Sequence, residues 1–129
     1  MTELELQAQV ADYLRLQYPN VLFHSDFGSG IKLTPGQAVK QKRLQGGRRA
    51  WPDIIVAEYG LDMGGNVRYA LFIELKRDGV RLKKKSGEWA SEHIKEQAET
   101  LRDLRQRGYA AYFAVGFDEA KKIIDEYLG

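Results

Sequence analysis

The chain contains no cysteine among its 129 residues, which excludes disulfides, thiolate metal sites and cysteine nucleophiles. It has no apolar run long enough to span a bilayer and no recognisable signal peptide or lipidation motif. The expectation is therefore a soluble, cytoplasmic protein with no membrane partner. Histidine is scarce: there are two, His24 and His93, and they lie too far apart in sequence to suggest a paired metal site. His24 reads as a strand-end residue and His93 as an exposed residue near a helix start. Repeats, low-complexity tracts and a linker that would divide the chain are also missing, so residues 1–129 read as a single domain. A domain of this size buries roughly two-thirds of the surface of its unfolded chain, enough for a real core.

A strong overall charge is missing too, since the net charge is only +2. The distribution is more informative than the sum. Between Lys32 and Arg49 there are six basic residues (Lys32, Lys40, Lys42, Arg43, Arg48, Arg49) and no acid. Between Lys76 and Lys85 six more (Lys76, Arg77, Arg81, Lys83, Lys84, Lys85) face Asp78 alone. Two local basic blocks in a near-neutral chain fit either a surface for a polyanion or a pair of solvated loops.

Periodicity divides the chain into elements. Residues 3–17 carry Leu6, Val10, Tyr13, Leu14 and Gln17 at helical spacing, and Thr2 with Glu5 has the form of a capping box. Glu3 falls at the edge of the apolar face and Glu5 points away; two acids in a first turn also suit the helix dipole. Pro19-Asn20 ends this helix. Residues 21–25 suit a short strand, and 26–30 form a turn-rich segment. Residues 35–45 suit a short helix capped by Thr34-Pro35 and carrying Lys40, Lys42 and Arg43. A glycine-containing basic loop with Arg48 and Arg49 follows. Ile54-Ile55-Val56 is strand-like. Residues 58–66, rich in glycine, read as a hairpin turn, with a return strand over 67–76. Ser91 opens a helix through Arg107 with Ile94, Ala98, Leu101 and Leu104 as its buried stripe and Gly108 as its stop. A strand over 109–115 and a closing helix over 116–128 complete the chain. Trp89, beside the second basic block, suits either packing or base stacking. A strand–helix–strand crossover places its two strands in parallel, so the expected fold is α/β: a mixed β-sheet flanked by helices.

One stretch stands out, Tyr69-Ala-Leu-Phe-Ile-Glu-Leu-Lys76. A run suited to burial on both faces ends in an acid and a base, and buried charges are costly unless paired or bound to metal. Glu74 and Lys76 share one face of the strand. With the hairpin turn near Met63-Gly64, Asp53 lies across from Glu74 or close to it, on that face. Two arrangements satisfy the pattern. One is an ordinary salt-bridged cluster of Asp53 and Glu74 with Lys76. The other is a divalent cation that relieves the repulsion between the two carboxylates; oxygen-only ligands favour Mg²⁺ or Mn²⁺ over zinc. In the same stripe logic, Gln97 lies on or near the buried stripe of its helix and needs a partner, either an internal hydrogen bond or the site.

Pro52-Asp53 followed by Glu74-Leu75-Lys76 on the next strand resembles the PD-(D/E)XK nuclease signature. Glu3 with Gln7 in the first helix, the basic glycine-containing stretch before Pro52, Gln97, and the segment Gly108-Tyr-Ala-Ala-Tyr-Phe-Ala-Val-Gly-Phe-Asp-Glu-Ala120 extend the likeness over nearly the whole chain. Together they are similar to a stand-alone VRR-NUC domain of the kind found in bacteriophages and bacteria, although Ala50 stands where that family often has glycine. The resemblance implies a restriction-endonuclease-like core of αβββαβ-type order. It implies that Asp53 and Glu74, with the Leu75 carbonyl, bind Mg²⁺ or Mn²⁺, and that Lys76 activates or orients water. A first-helix acid, Glu3 in preference to Glu5, would complete the cluster, and Gln97 would contribute from the following helix. It further implies a homodimeric endonuclease acting on branched DNA such as Holliday junctions, with Lys40, Lys42, Arg43, Arg48, Arg49, Lys83, Lys84 and Lys85 on the nucleic acid. The alternative is a catalytically inactive nucleic-acid-binding module on the same fold.

Overall fold

The computed structural model describes residues 1–26, 32–48 and 50–129. The elements follow in the order α1 (Glu3–Gln17), β1 (Phe23–Ser25), α2 (Pro35–Leu44), β2 (Ile54–Val56), β3 (Gly60–Leu61), β4 (Val67–Arg68), β5 (Leu71–Lys76), α3 (Glu92–Gln106), β6 (Ala110–Val115) and α4 (Gly116–Leu128). The helix starts are set by local chemistry. Thr2 and Glu5 form a reciprocal capping box at α1, and Thr34 and Gln37 form another at α2 with proline in the first turn. Ser91 accepts from the Ile94 N–H at the start of α3. That helix ends before Gly108, whose φ of +94° an L-side chain would resist.

Four strands form one sheet in the order β1-β2-β5-β6. β1, β2 and β5 run antiparallel, while β5 and β6, joined through α3, run parallel. The mixed α/β sheet expected from the sequence is present. Strand alternation sends Ile54, Val56, Leu71, Ile73 and Leu75 to one face, where Leu6, Val10 and Leu14 of α1 and Ile123, Ile124 and Tyr127 of α4 close the main core. Phe72 and Ala111 point the other way and meet Leu101 and Leu104 of α3. Gln17, expected on the buried face of α1, is exposed.

The predicted hairpin is modified. β2 and β5 pair as expected, but the chain between them forms a separate two-stranded ribbon, β3 with β4. The return strand over 67–76 is therefore split, and only Leu71–Lys76 joins the main sheet. The ribbon is pinned to α4: the Tyr127 hydroxyl lies within hydrogen-bonding reach of the carbonyls of Glu58 (2.7 Å) and Arg68 (3.0 Å). A side chain at Gly60 would collide with the Tyr127 backbone and ring. The second basic block is also more ordered than a loop. Lys83 bridges to Trp89, and the Lys84 and Ala90 N–H groups donate to the Glu88 and Leu82 carbonyls, each at 2.8 Å. Among the described residues, no helix is long and apolar enough to cross a membrane.

Candidate active site

The register of β2 against β5 places the site. Ile54 pairs with Ile73, so the next position outward sets Asp53 opposite Glu74. Asp53 is fixed from both sides. Its carbonyl accepts from the Asp26 N–H at 2.9 Å, and its carboxylate accepts from the Leu75 N–H at 2.7 Å. Asp53, Glu74 and Lys76 are all buried at the end of the sheet.

The third acid comes from α1. Oxygens of Glu3, Asp53 and Glu74 all lie within 4.8 Å of one another. Glu5 is engaged elsewhere, accepting from the Thr2 hydroxyl at 3.1 Å in the capping box. Gln7, one turn after Glu3, is buried and holds this end of α1 against the sheet: its amide donates to the Ser25 hydroxyl (2.6 Å) and the Asp26 carbonyl (2.7 Å). Its place in the sequence, four residues after Glu3 on the same helical face, was the available signal for this role.

The electrostatics of this cluster are unbalanced. Burial holds the Glu74 carboxyl well above the usual carboxylate range, and the hydrogen bond with Asp53 and the Asp53 charge push it further up. The Lys76 charge pulls it down without reversing the effect. Among the described residues no ion pair joins Lys76 to Glu74. Three convergent carboxylates, two of them buried, supply a hard, all-oxygen donor set. That chemistry fits a divalent cation such as Mg²⁺ or Mn²⁺, which would remove the penalty on Glu74.

Gln97 is on the buried stripe of α3, and its Oε1 has no hydrogen bond among the described residues. Lys40, Lys42 and Arg43 are exposed along α2, and Lys84 and Lys85 are exposed in the second basic block. The Lys83 ammonium sits 4.7 Å from the centre of the Trp89 ring. Arg48 is engaged within the protein, donating to Asp103 at 2.7 Å and to the Thr100 hydroxyl at 2.9 Å. Arg49 lies outside the described residues. Residues that sequence pattern did not assign to the site line a hollow beside Asp53: His24, Asp26, Gln45, Trp51, Pro52 and Ile55.

No protein-family model matches the chain, and no curated protein sequence does. Among solved structures, the chain is similar to one described as a "VRR_NUC domain protein". The TM-score is 0.67 at 25% sequence identity, and the likeness covers 99% of this chain and 88% of the other.

Proposed function

From the premise that this chain folds as a VRR-NUC domain, we propose that it is a Mg²⁺- or Mn²⁺-dependent DNA endonuclease, selective for branched DNA such as Holliday junctions. The observation that carries the reading is the convergence of Glu3, Asp53 and Glu74 within 4.8 Å, at the strand ends of a nuclease-like fold. In this reading Asp53, Glu74 and the Leu75 carbonyl hold the ion and Glu3 completes the acidic set. A divalent ion held there would supply Lewis-acid chemistry to the phosphodiester and to the attacking water. Asp53 stays in place through its bond to the Leu75 N–H. Lys76, buried beside the acids, offers its ammonium to the charge that develops on the phosphate and orients the attacking water. Gln97 contributes from α3, where its Oε1 has no hydrogen bond among the described residues.

The exposed cations of α2 and of the second basic block supply the sequence-independent hold on the DNA backbone. One small domain contains one such site, so two symmetric cuts across a junction require two copies related by a dyad. A homodimer is accordingly part of the proposal.

The test is a cleavage panel with Mg²⁺ and with Mn²⁺ on duplex, nicked, flap, single-stranded and four-way-junction DNA. Preferential cutting of branched forms is expected. Equal cutting of all forms would remove the branched-DNA selectivity and leave the nuclease. Salt-sensitive binding with no cutting under any divalent metal would identify an inactive nucleic-acid-binding module instead.

A further inference from the structure

Beside the acids lies a hollow of about 270 Å³, formed by His24 within β1 and Asp26 just after it, Gln45 at the end of α2, and Trp51, Pro52, Asp53 and Ile55 around the start of β2. We infer that this hollow receives one unpaired nucleobase flanking the phosphodiester at the acidic cluster. The inference rests on the nuclease reading for the position of the cut.

The hollow and the acids share one face of the sheet. His24 pairs with Ile55 and Ile55 with Phe72, so alternation puts Asp53, Ile55, His24, Phe72 and Glu74 on the same side. The lining is what a planar heterocycle needs. Trp51 remains 39% exposed although its indole is tethered, its Nε1–H donating to the Gln45 carbonyl at 2.9 Å. A tethered, accessible ring is a stacking platform that loses little freedom on binding. Pro52 and Ile55 add apolar surface, and His24 adds a second planar side chain. Gln45 also carries a buried Oε1 with no hydrogen bond among the described residues, an unmade bond that the edge of a base can take up once the amide turns. Immediately before Gln45, Lys40, Lys42 and Arg43 line the exposed side of α2, where they can follow the phosphates on either side of that nucleotide.

A base stacked within a duplex cannot enter such a hollow without leaving its neighbours, and unstacking costs least where pairing is already lost. The substrate class that fits is DNA with an unpaired nucleotide next to the cut, as at a flap. Trp51 then acts as a positioning and specificity-determining residue beside Asp53.

The chain has two tryptophans, so Trp89→Phe leaves Trp51 as the sole reporter. Without divalent metal, titration with a short single-stranded oligonucleotide should quench its fluorescence. An abasic oligomer of equal length should bind through its phosphates without that quench. Trp51→Ala should weaken oligonucleotide binding about tenfold, whereas Trp51→Phe, which keeps a stacking face, should stay close to the parent and shows that the loss is not misfolding. Equal quenching by the abasic oligomer, or undiminished binding by a folded Trp51→Ala, would overturn the pocket. The two readings separate cleanly: base-dependent quenching without any cleavage keeps the pocket and removes the nuclease, and Asp53-dependent cleavage without quenching does the reverse.

Discussion

The Asp53 carboxylate accepts a hydrogen bond from the backbone N–H of Leu75 at 2.7 Å. One acid of the cluster is thereby bonded to the strand that carries another, between Glu74 and Lys76. The spacing of Asp53 and Glu74 is a property of the β2–β5 pairing, not of two flexible side chains. Ligand binding at this point pays little for ordering the groups that receive it.

Asp53→Asn and Glu74→Gln change charge with little change of shape. Each should lower Mg²⁺-dependent cleavage at least about a hundredfold, a few kcal/mol of lost stabilisation of the transition state, with DNA affinity in metal-free buffer nearly unchanged. Single-turnover cleavage and gel-shift measurements check both halves. Cleavage by either variant at the parent rate would remove that acid from the site.

Metal-free stability should depend on Glu74. Its carboxyl is raised by burial and by Asp53, so the folded state binds this proton more tightly than the unfolded chain. The resulting stability is fully present below the ordinary glutamate value and is lost as pH rises through the raised one. The metal-free Tm should fall over that range, and Glu74→Gln should flatten the fall. Added Mg²⁺ or Mn²⁺ should raise Tm more at the high end than at the low end, because the ion competes with the proton. An equal metal-induced shift at both ends would contradict this.

Asp125 ties the two helices on the core side. Its carboxylate accepts from the Tyr13 hydroxyl (2.5 Å), the Tyr18 hydroxyl (2.7 Å) and the Lys121 ammonium (2.9 Å). Burial pushes its pKa up, but these three donors outweigh burial and bring it below the usual aspartate value. This stability is present above the unfolded pKa and is lost as pH falls through the depressed one. Asp125→Asn should cost about 1–3 kcal/mol at neutral pH and reduce the acid sensitivity of unfolding. Urea denaturation at neutral and acid pH tests both.

The β3–β4 ribbon should come loose before the sheet. Tyr127→Phe removes the hydroxyl shared by the Glu58 and Arg68 carbonyls and should cost about 1–2 kcal/mol. Gly60→Ala places a methyl group against Tyr127 and should do at least as much damage. Hydrogen exchange in both variants should quicken at Gly60–Leu61 and Val67–Arg68 while β5 and β6 stay protected.

Replacing Lys40, Lys42 and Arg43 together by alanine should weaken DNA binding without regard to sequence. The slope of log K against log salt should become shallower by roughly 0.9 for each phosphate no longer neutralised. Arg48→Ala should act differently, lowering stability because Asp103 and Thr100 lose their shared donor. An unchanged salt slope in the triple variant would take α2 out of the DNA-binding surface.

Much of this architecture could be read from local pattern. The capping residues Thr2 with Glu5 and Thr34 with Gln37 mark two helix starts, and α4 begins and ends where its apolar spacing does. Period-two alternation puts Glu74 and Lys76 on one face, and a hairpin register brings Asp53 across from Glu74. These inferences hold because capping and strand alternation depend on residues only a few positions apart. The ribbon inserted into that hairpin was not legible: its turn closes locally, with Asp62 accepting from the Gly64 and Asn66 N–H groups and from Arg68, but its docking depends on Tyr127, some sixty residues downstream.

By itself, then, the sequence determined the helix limits and the α/β class, consequences of short-range periodicity, and it brought Asp53 close to Glu74 through the hairpin between their strands. Only the tertiary structure decided that Glu3 meets the two strand acids while Glu5 caps its own helix. Tertiary packing also engaged Arg48 with Asp103 and left Trp51 over a hollow beside the acids. The physical reason is one of range: these contacts join residues about twenty to seventy positions apart. They exist only after α1, α2 and α3 have docked, where burial and competing partners, not spacing, choose which side chain reaches which.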